Sequence, residues 1–213
     1  MPPTDPSEIR RLDRLRALGL LDTEGEALLD HFTELAARAT GLPIALISLI
    51  DERRQWFKSA IGLPQGMETL REFAFCDHAS QCADLFEVED ARQDPRFANN
   101  PLVTGEPYIA HYAGAPLVMP GGEFIGTLCV IGQQPGRLPP EGRDLLSTLA
   151  RGVVSVLLLR ESERNLAARA RAESALADSE ARYRALAEQL ACANRRKDEF
   201  LAMLAHELRN PLA

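Results

Sequence analysis

The sequence predicts an α+β domain that extends to about residue 140, followed by one long helix. Apolar runs of strand length, separated by turn residues, occur in the first part of the chain. After Pro139 and Pro140, glycine and proline almost disappear and Ala, Leu, Glu and Arg dominate, which is typical of a long helix. At 213 residues, 46% of them hydrophobic, the chain can bury one core of ordinary domain size.

Two helices are predicted before the first strand. Residues 1–20 contain a short amphipathic helix with a basic run that we interpret as its solvated face. That run consists of Arg10, Arg11, Arg14 and Arg16. The segment 24–40 predicts a second helix, which Gly41 ends. The apolar face expected for it consists of Ala27, Leu28, His31, Phe32, Leu35, Ala36 and Ala39.

Four strands and a short helix are predicted in the rest of the domain. The run 44–50 is almost continuously apolar, which favours a central strand covered on both faces. The other strands are predicted at 54–60, 113–119 and 123–131. A short helix is predicted at 73–85. The segment 91–112 is expected to be an ordered loop over the sheet, and its length favours a functional role.

The long helix carries a heptad pattern that predicts a parallel coiled coil. The recurring residues are Leu176, Tyr183, Leu190 and Leu204, with Lys197 in the fifth place. Upstream, Leu159 and Leu166 keep the same step, but Leu176 follows Leu166 after ten residues. This phase slip is a point where a signalling helix could change register. The alternative is a loosely packed, alanine-rich linker.

Charge and hydropathy exclude several classes of protein. The chain has 24 basic and 31 acidic residues, a net charge of -7, which argues against binding to nucleic acid. Its apolar runs are far shorter than the roughly 20 residues that cross a bilayer, and its N-terminus lacks a signal-peptide pattern. We therefore expect a cytoplasmic protein with no membrane association, whose four cysteines are free thiols.

The end of the chain carries the most specific motif. From Lys197 it reads KDEFLAMLAHELRNPLA, and residues 200–212 closely resemble the H-box of sensor histidine kinases. The resemblance implies that His206 is phosphorylated and passes its phosphate to the receiver domain of a response regulator in a two-component system. It also implies that residues 196–213 are the first, truncated helix of a phosphoacceptor domain. A homodimer formed through the terminal helices is expected.

The chemistry of phosphoacceptance agrees with this motif. A phosphoacceptor imidazole must face solvent to reach the γ-phosphate of ATP in line, and both heptad registers that fit the tail place His206 outside the seam. Glu207 is a candidate general base, and Asn210 could position a water for dephosphorylation. No nucleotide-binding motif occurs, so we expect ATP to bind a kinase domain outside this chain, and the chain alone to be inactive.

The first part of the chain resembles a GAF domain. The blocks that carry the resemblance are 21–23, 75–79, 90–91, 94–97, 100–103, 112–117 and 126–130. The resemblance implies a GAF fold, with a central six-stranded antiparallel sheet, flanking helices, and a cavity for a small-molecule ligand. It places a sensor domain at residues 21–160, and a coiled-coil signalling linker at residues 161–195 leads to the phosphoacceptor helix.

Cys76 and His78 are the candidate cavity residues. On a helix these two residues would point about 200° apart, whereas His78 and Cys82 would share a face. Two ligands on one face are too few for a closed zinc site. We therefore expect no metal. In photoreceptor GAF domains, His or a similar residue directly follows the chromophore cysteine, whereas Asp77 intervenes here. Neither a bilin nor a haem is expected, and the chain itself holds no cofactor.

Three functions stay open at this point. The first is an input module that changes the geometry of the helix carrying His206. The second is a ligand-free dimerisation module, which a cavity filled by side chains would favour. The third is a thiol redox protein of the free methionine sulfoxide reductase type, with candidate cysteines Cys76, Cys82 and Cys129.

Overall fold

The computed structural model describes residues 5–82 and 84–209, without the side chains of Gln81 and residues 207–209. The chain divides into two compact units, Met1–Leu159 and Arg160–Ala213. The first unit contains the whole sheet, and the second consists of helix alone over its described residues.

A six-stranded antiparallel sheet forms the centre of the first unit, in the order β3-β2-β1-β6-β5-β4. Its strands are β1 (Ile44–Ile50), β2 (Arg54–Ile61), β3 (Glu68–Leu70), β4 (Phe86–Val88), β5 (His111–Val118) and β6 (Phe124–Gly132). The predicted α+β class with a central antiparallel sheet is confirmed. The two edge strands, β3 and β4, have three residues each, which is too short for an alternating pattern to appear in the sequence.

Five α-helices accompany the sheet in the part of the chain that the structure describes. They are α1 (Pro6–Leu18), α2 (Ala27–Thr40), α3 (Phe75–His78), α4 (Pro101–Thr104) and α5 (Pro140–Arg209). The Asp5 side chain caps α1 by accepting a hydrogen bond from the Ser7 amide, and Gly19 ends it in the left-handed conformation with φ 59°. The helix predicted at 73–85 is shorter in the structure, because α3 gives way at Ala79 to a 3₁₀ turn.

The buried face of α2 differs from the predicted one. Leu29, Thr33 and Ala36 are buried, whereas Leu28 and Leu35, which were expected in the core, are 55% and 52% exposed. Thr33 can lie in the core because its hydroxyl bonds to the Leu29 carbonyl and to the Ser59 hydroxyl. Because Thr33, at the centre of the buried stripe, is polar, apolar periodicity does not identify that stripe.

The position of Arg11 also differs from the prediction. The basic run predicts a solvated face, but Arg11 lies in the core. Only 7% of Arg11 is exposed, and its guanidinium donates hydrogen bonds to the carbonyl oxygens of Ile50 and Phe124 and to the Glu8 carboxylate. These bonds satisfy the buried charge and fasten α1 to the ends of two central strands. The correction follows from tertiary contacts that no local pattern encodes.

The two faces of the sheet have different coverings. Helices α1 and α2 and the first part of α5 cover one face, here called the helix face, through an apolar cluster that includes Leu15, Leu29, Ile47 and Val153. The opposite face, here called the loop face, packs against α3, α4 and the segments that join them. Its cluster includes Leu46, Phe57, Phe75, Tyr112 and Cys129.

A buried carboxylate fastens the start of α5 to the sheet. Glu87 on β4 accepts hydrogen bonds from the Leu138 amide at 2.7 Å and from His111 Nε2 at 3.0 Å, and it pairs with Arg143. Charge-assisted bonds of this kind are stronger than bonds between neutral groups. The first turn of α5 is thereby positioned against β4 and β5.

In the second unit the predicted seam residues are exposed on the single chain. Leu176, Tyr183 and Leu190 are among them. Their pairing across a dimer stays a prediction. Among the described residues, no helix is both long enough and apolar enough to cross a membrane.

Candidate functional site

A cavity of about 530 Å³ lies on the loop face. It is bounded by the sheet, by α3 and α4, and by the segments that follow β2 and α4. Most of its wall is apolar. The apolar lining residues are Leu46, Phe57, Leu63, Pro64, Met67, Phe75, Leu102, Pro107, Ile109 and Ile131. A volume of this size suits a small organic molecule, and an apolar wall with few polar groups is usual for ligand sites.

A smaller polar set interrupts this wall. It consists of Gln55, Thr69, Cys76, Glu106, Tyr108, Tyr112 and Gln133. In the part of the lining that the structure describes, Glu106 is the one acidic group, and there is no Arg, Lys or His. The Thr69 hydroxyl is buried and has no hydrogen-bond partner among the described residues.

Three hydrogen-bond donors converge on the sulfur of Cys76. The Ser48 hydroxyl lies 3.1 Å from it, and the Gln55 side-chain amide and the Tyr112 hydroxyl each lie 3.2 Å from it. The fourth neighbour is Cys129, whose sulfur lies 3.9 Å away. Cys76 itself is almost completely buried at the cavity wall.

This surrounding changes the acidity of the thiol. Burial raises the pKa of Cys76, but hydrogen bonds from Cys129, Ser48, Thr127 and Tyr112 outweigh burial and lower it to about 7. The hydrogen bond to Cys76, together with burial, raises the pKa of Cys129 well above its usual range. Burial likewise raises the pKa of Tyr112. Of these three groups, Cys76 is therefore the one that ionises first.

Local sequence explains how the donors reach the sulfur. Ser48 interrupts the apolar run of β1, and it pairs in register with Thr127 on β6, whose hydroxyl it meets at 3.1 Å. Gly114 leaves room for the Tyr112 ring, because a Cβ atom at position 114 would lie 2.2 Å from the Tyr112 hydroxyl. Tyr112 can therefore lie along the sheet and point its hydroxyl at Cys76.

Comparison with known sequences identifies the fold. The sequence profile of the GAF domain matches residues 24–157. The chain belongs to the GAF domain family. It is 42% identical over 144 residues to a cyclic di-GMP phosphodiesterase of Pseudomonas aeruginosa, a match that covers 68% of this chain. The matched segment is 24% of that relative's length.

Solved structures agree on the GAF fold. The GAF domain from the Acinetobacter phosphoenolpyruvate-protein phosphotransferase has a TM-score of 0.55 at 20% identity, covering 75% of this chain and 97% of that one. The type II free methionine-R-sulfoxide reductase from Thermoplasma acidophilum has a TM-score of 0.51 at 13% identity, covering 62% of this chain and 90% of that one. At these identities the likeness extends to the fold alone.

Within this GAF domain the two predicted cavity residues have different surroundings. Cys76 lines the cavity, whereas His78 is exposed, and its ring forms a T-shaped contact with Phe97 at 4.9 Å between centroids. The groups around the Cys76 sulfur are Ser48, Gln55, Tyr112 and Cys129, not His78. In the described part of the chain, no group of three or more His, Cys, Asp or Glu side chains could hold a metal ion.

The residues predicted for phosphoacceptance lie in the second unit. His206 is exposed on α5. Glu207 is helical, but its side chain is not among those described, and Asn210 lies outside the described residues. Their roles stay predictions.

The sequence analysis missed three residues of the site. Ser48, Gln55 and Tyr112 come from three different strands, and they meet only when the sheet forms. One signal was available for Ser48, since it is the single polar residue in the apolar run 44–50. A buried hydroxyl in such a run needs a hydrogen-bond partner.

Proposed function

We propose that the chain is the sensory and phosphoacceptor portion of a two-component sensor histidine kinase. The observation that carries the proposal is the sequence HELRNPL, which begins at His206. An exposed imidazole on a long helix is the arrangement that in-line attack on a phosphorus atom requires. The GAF domain is the sensor in this proposal, and α5 carries the response.

In the proposed reaction, the His206 ring attacks the γ-phosphorus of an ATP held by a kinase domain outside this chain. The bond from that phosphorus to the bridging oxygen breaks, and ADP leaves. Glu207 accepts the proton that the ring releases, and Asn210 positions water in the reverse dephosphorylation. The phosphate then passes to an aspartate of a response regulator.

The proposed signal is a small molecule that binds in the cavity. The apolar wall and its few neutral polar residues, which include Gln55, Tyr108 and Gln133, favour a neutral, largely apolar molecule that carries one or two hydrogen-bonding groups. The lack of a basic residue in the described lining disfavours a cyclic nucleotide, because a buried phosphate needs a paired charge. An open cavity also supports a ligand-binding sensor over a ligand-free dimerisation module.

The matched relative has a different output. Its phosphodiesterase activity is a property of the whole relative, of which the segment shared with this chain is 24%. A GAF segment of this type thus occurs with an output other than phosphotransfer. The kinase proposal therefore depends on the residues of α5, and the experiment must address His206 itself.

Phosphate transfer from γ-labelled ATP tests the kinase proposal. The chain is incubated with a histidine kinase ATP-binding domain, and acid-labile phosphate on the chain is measured. We expect labelling of the parent chain and complete loss of label in His206→Gln. The control is His31→Gln, which changes an exposed histidine on α2 and should leave the label unchanged. Label that persists in His206→Gln would refute the assignment.

A separate experiment tests the cavity. Indole and p-cresol represent neutral aromatic ligands, and cyclic GMP represents an anionic nucleotide. We expect indole or p-cresol to raise the Tm, because ligands that bind only the folded state stabilise it, and cyclic GMP to have no effect. Met67→Trp, which adds bulk at the cavity wall, should remove the response. If neither neutral probe binds, the ligand-free dimerisation module becomes the better description.

A further inference from the structure

The loop face holds a second site whose chemistry is independent of His206. We propose that Cys76 and Cys129 are a peroxide-sensitive thiol pair: a hydroperoxide that enters the cavity oxidises Cys76, and Cys129 then closes a disulfide with it. The proposal rests on the arrangement of groups around the two sulfurs. It would hold whatever the output of α5.

The convergence of donors on one sulfur is the first argument. Ser48, Gln55 and Tyr112 lie on β1, β2 and β5, and each directs an O–H or N–H group at Cys76. A neutral thiol is only a weak acceptor, so three donors around one thiol gain little unless the sulfur carries negative charge. The site is thus built for a thiolate, which is the nucleophilic form of cysteine.

The cavity and the second sulfur supply the other arguments. Cys76 forms part of the cavity wall and is 1% exposed, so a small hydroperoxide in the cavity lies next to it and attacks once a local shift of the wall uncovers the sulfur. Cys129 lies behind it, fully buried, with 3.9 Å between the sulfurs. A disulfide needs about 2.05 Å, so the two must approach by roughly 2 Å. A tighter approach of α3 to β6 could close this gap.

The proposed steps balance as follows. The Cys76 thiolate attacks the terminal oxygen of the hydroperoxide; the S–O bond forms, the O–O bond breaks, and an alkoxide leaves that takes a proton from water. The sulfur is oxidised to a sulfenic acid and the peroxide is reduced to an alcohol. The Cys129 sulfur then attacks the Cys76 sulfur, the S–O bond breaks, and the proton of Cys129 leaves with the hydroxide as water.

The acidities of the two thiols fit these roles. The pKa of Cys76 is lowered, so Cys76 supplies the nucleophile for the first step. The pKa of Cys129 is raised, so Cys129 keeps its proton until it attacks the sulfenic acid, when that proton leaves with the hydroxide. Glu106 is the one charged side chain in the described cavity lining, and its carboxylate would favour a neutral peroxide over an anionic one.

Peptide mapping of the reduced full chain, treated with cumene hydroperoxide at pH 6 and digested without reductant, tests the proposal. We expect a Cys76–Cys129 disulfide to form at least tenfold faster than oxidation of Cys192, the exposed cysteine of the second unit. In Cys129→Ala, the sulfenic acid at Cys76 should persist and be trapped by dimedone. Oxidation of Cys76 no faster than that of Cys192 would overturn the proposal, as would persistent sulfenic acid in the parent chain.

Two variants test the donors while keeping both cysteines. Tyr112→Phe removes one hydrogen bond to the sulfur, and Gly114→Ala displaces the same hydroxyl by crowding it. We expect each to slow oxidation of Cys76 about three- to tenfold at pH 6, because fewer thiolates form and each is only slightly more nucleophilic. Tyr183→Phe, an exposed phenol in the second unit, should leave the rate unchanged. Equal rates in all three folded variants would show that the donors do not activate the thiol, and would contradict the proposal.

Discussion

Buried polar groups have different surroundings on the two faces of the sheet. On the helix face, the Ser59 hydroxyl donates to the Asp30 carboxylate, and the buried Lys58 ammonium is held by Glu26, the Thr23 hydroxyl and a backbone carbonyl. On the loop face, the side chains of Ser48, Gln55 and Tyr112 donate hydrogen bonds to the Cys76 sulfur, which lies beside the cavity. These helix-face groups are bonded to one another within the core, whereas the loop-face groups lie beside open space.

Packing differs in the same way. Gly152 on α5 lies so close to α2 that a Cβ atom there would be 2.7 Å from the Phe32 ring. The loop face instead leaves about 530 Å³ unfilled between the sheet and its covering segments. An unfilled cavity forgoes dispersion contacts and lowers stability. The contrast agrees with the proposal that the loop face binds a ligand.

The largest expected effect compares neighbouring residues of β1. Ile47 points to the helix face and Leu46 to the loop face, and each is only 1% exposed. We expect Ile47→Ala to lower the free energy of unfolding by about 4 kcal/mol and Leu46→Ala by about 2 kcal/mol. The smaller loss follows because Leu46 already borders open space. Urea unfolding measures both, and equal losses would remove the distinction between the faces.

A smaller effect concerns Glu8, which links α1 on the helix face to Arg71 next to α3. Hydrogen bonds from Arg11 and Arg71 outweigh burial and lower the pKa of Glu8 to about 2. Because the folded-state pKa lies below the usual 4.5, its contribution is complete above about pH 5 and is lost as the pH falls toward 2.

Glu8→Gln should therefore lower the free energy of unfolding at pH 7 by about 1.5 kcal/mol, a value reduced by partial exposure to water. The difference from the parent should shrink as the pH falls below 5. Chemical denaturation at several pH values measures it. Asp13→Asn, at an exposed position of α1, is the matched control and should have little effect. A pH-independent difference would show that packing, not ionisation, accounts for the loss.

The smallest effect has the opposite sign and compares two glycines of α5. At Gly142 a Cβ atom would meet Pro139 at 3.4 Å, an ordinary contact, so Gly142→Ala should stabilise the chain by about 0.5 kcal/mol through reduced backbone entropy. Gly152→Ala should instead destabilise it by about 1 kcal/mol, because the Phe32 ring must move. Thermal unfolding distinguishes them, and stabilisation by Gly152→Ala would argue against tight packing on the helix face.

The local patterns predicted some elements well and others poorly. Long apolar runs predicted β1 and β6, and the loss of glycine and proline predicted α5. The same reasoning placed Leu28 and Leu35 in the core and Arg11 in solvent, and the structure reverses both placements. These misplaced residues share a cause, since polar groups enter the core when partners distant in sequence satisfy them.

By itself, the sequence determined the α+β class, the GAF resemblance and the motif around His206, because these depend on short-range periodicity and on residues adjacent in the chain. The antiparallel sheet followed from the GAF resemblance. Only the tertiary structure decided which groups surround Cys76. Ser48, Gln55, Tyr112 and Cys129 lie 28, 21, 36 and 53 residues from it along the chain. Contacts at such separations form when strands pair and α3 packs on the sheet, and no local pattern encodes them.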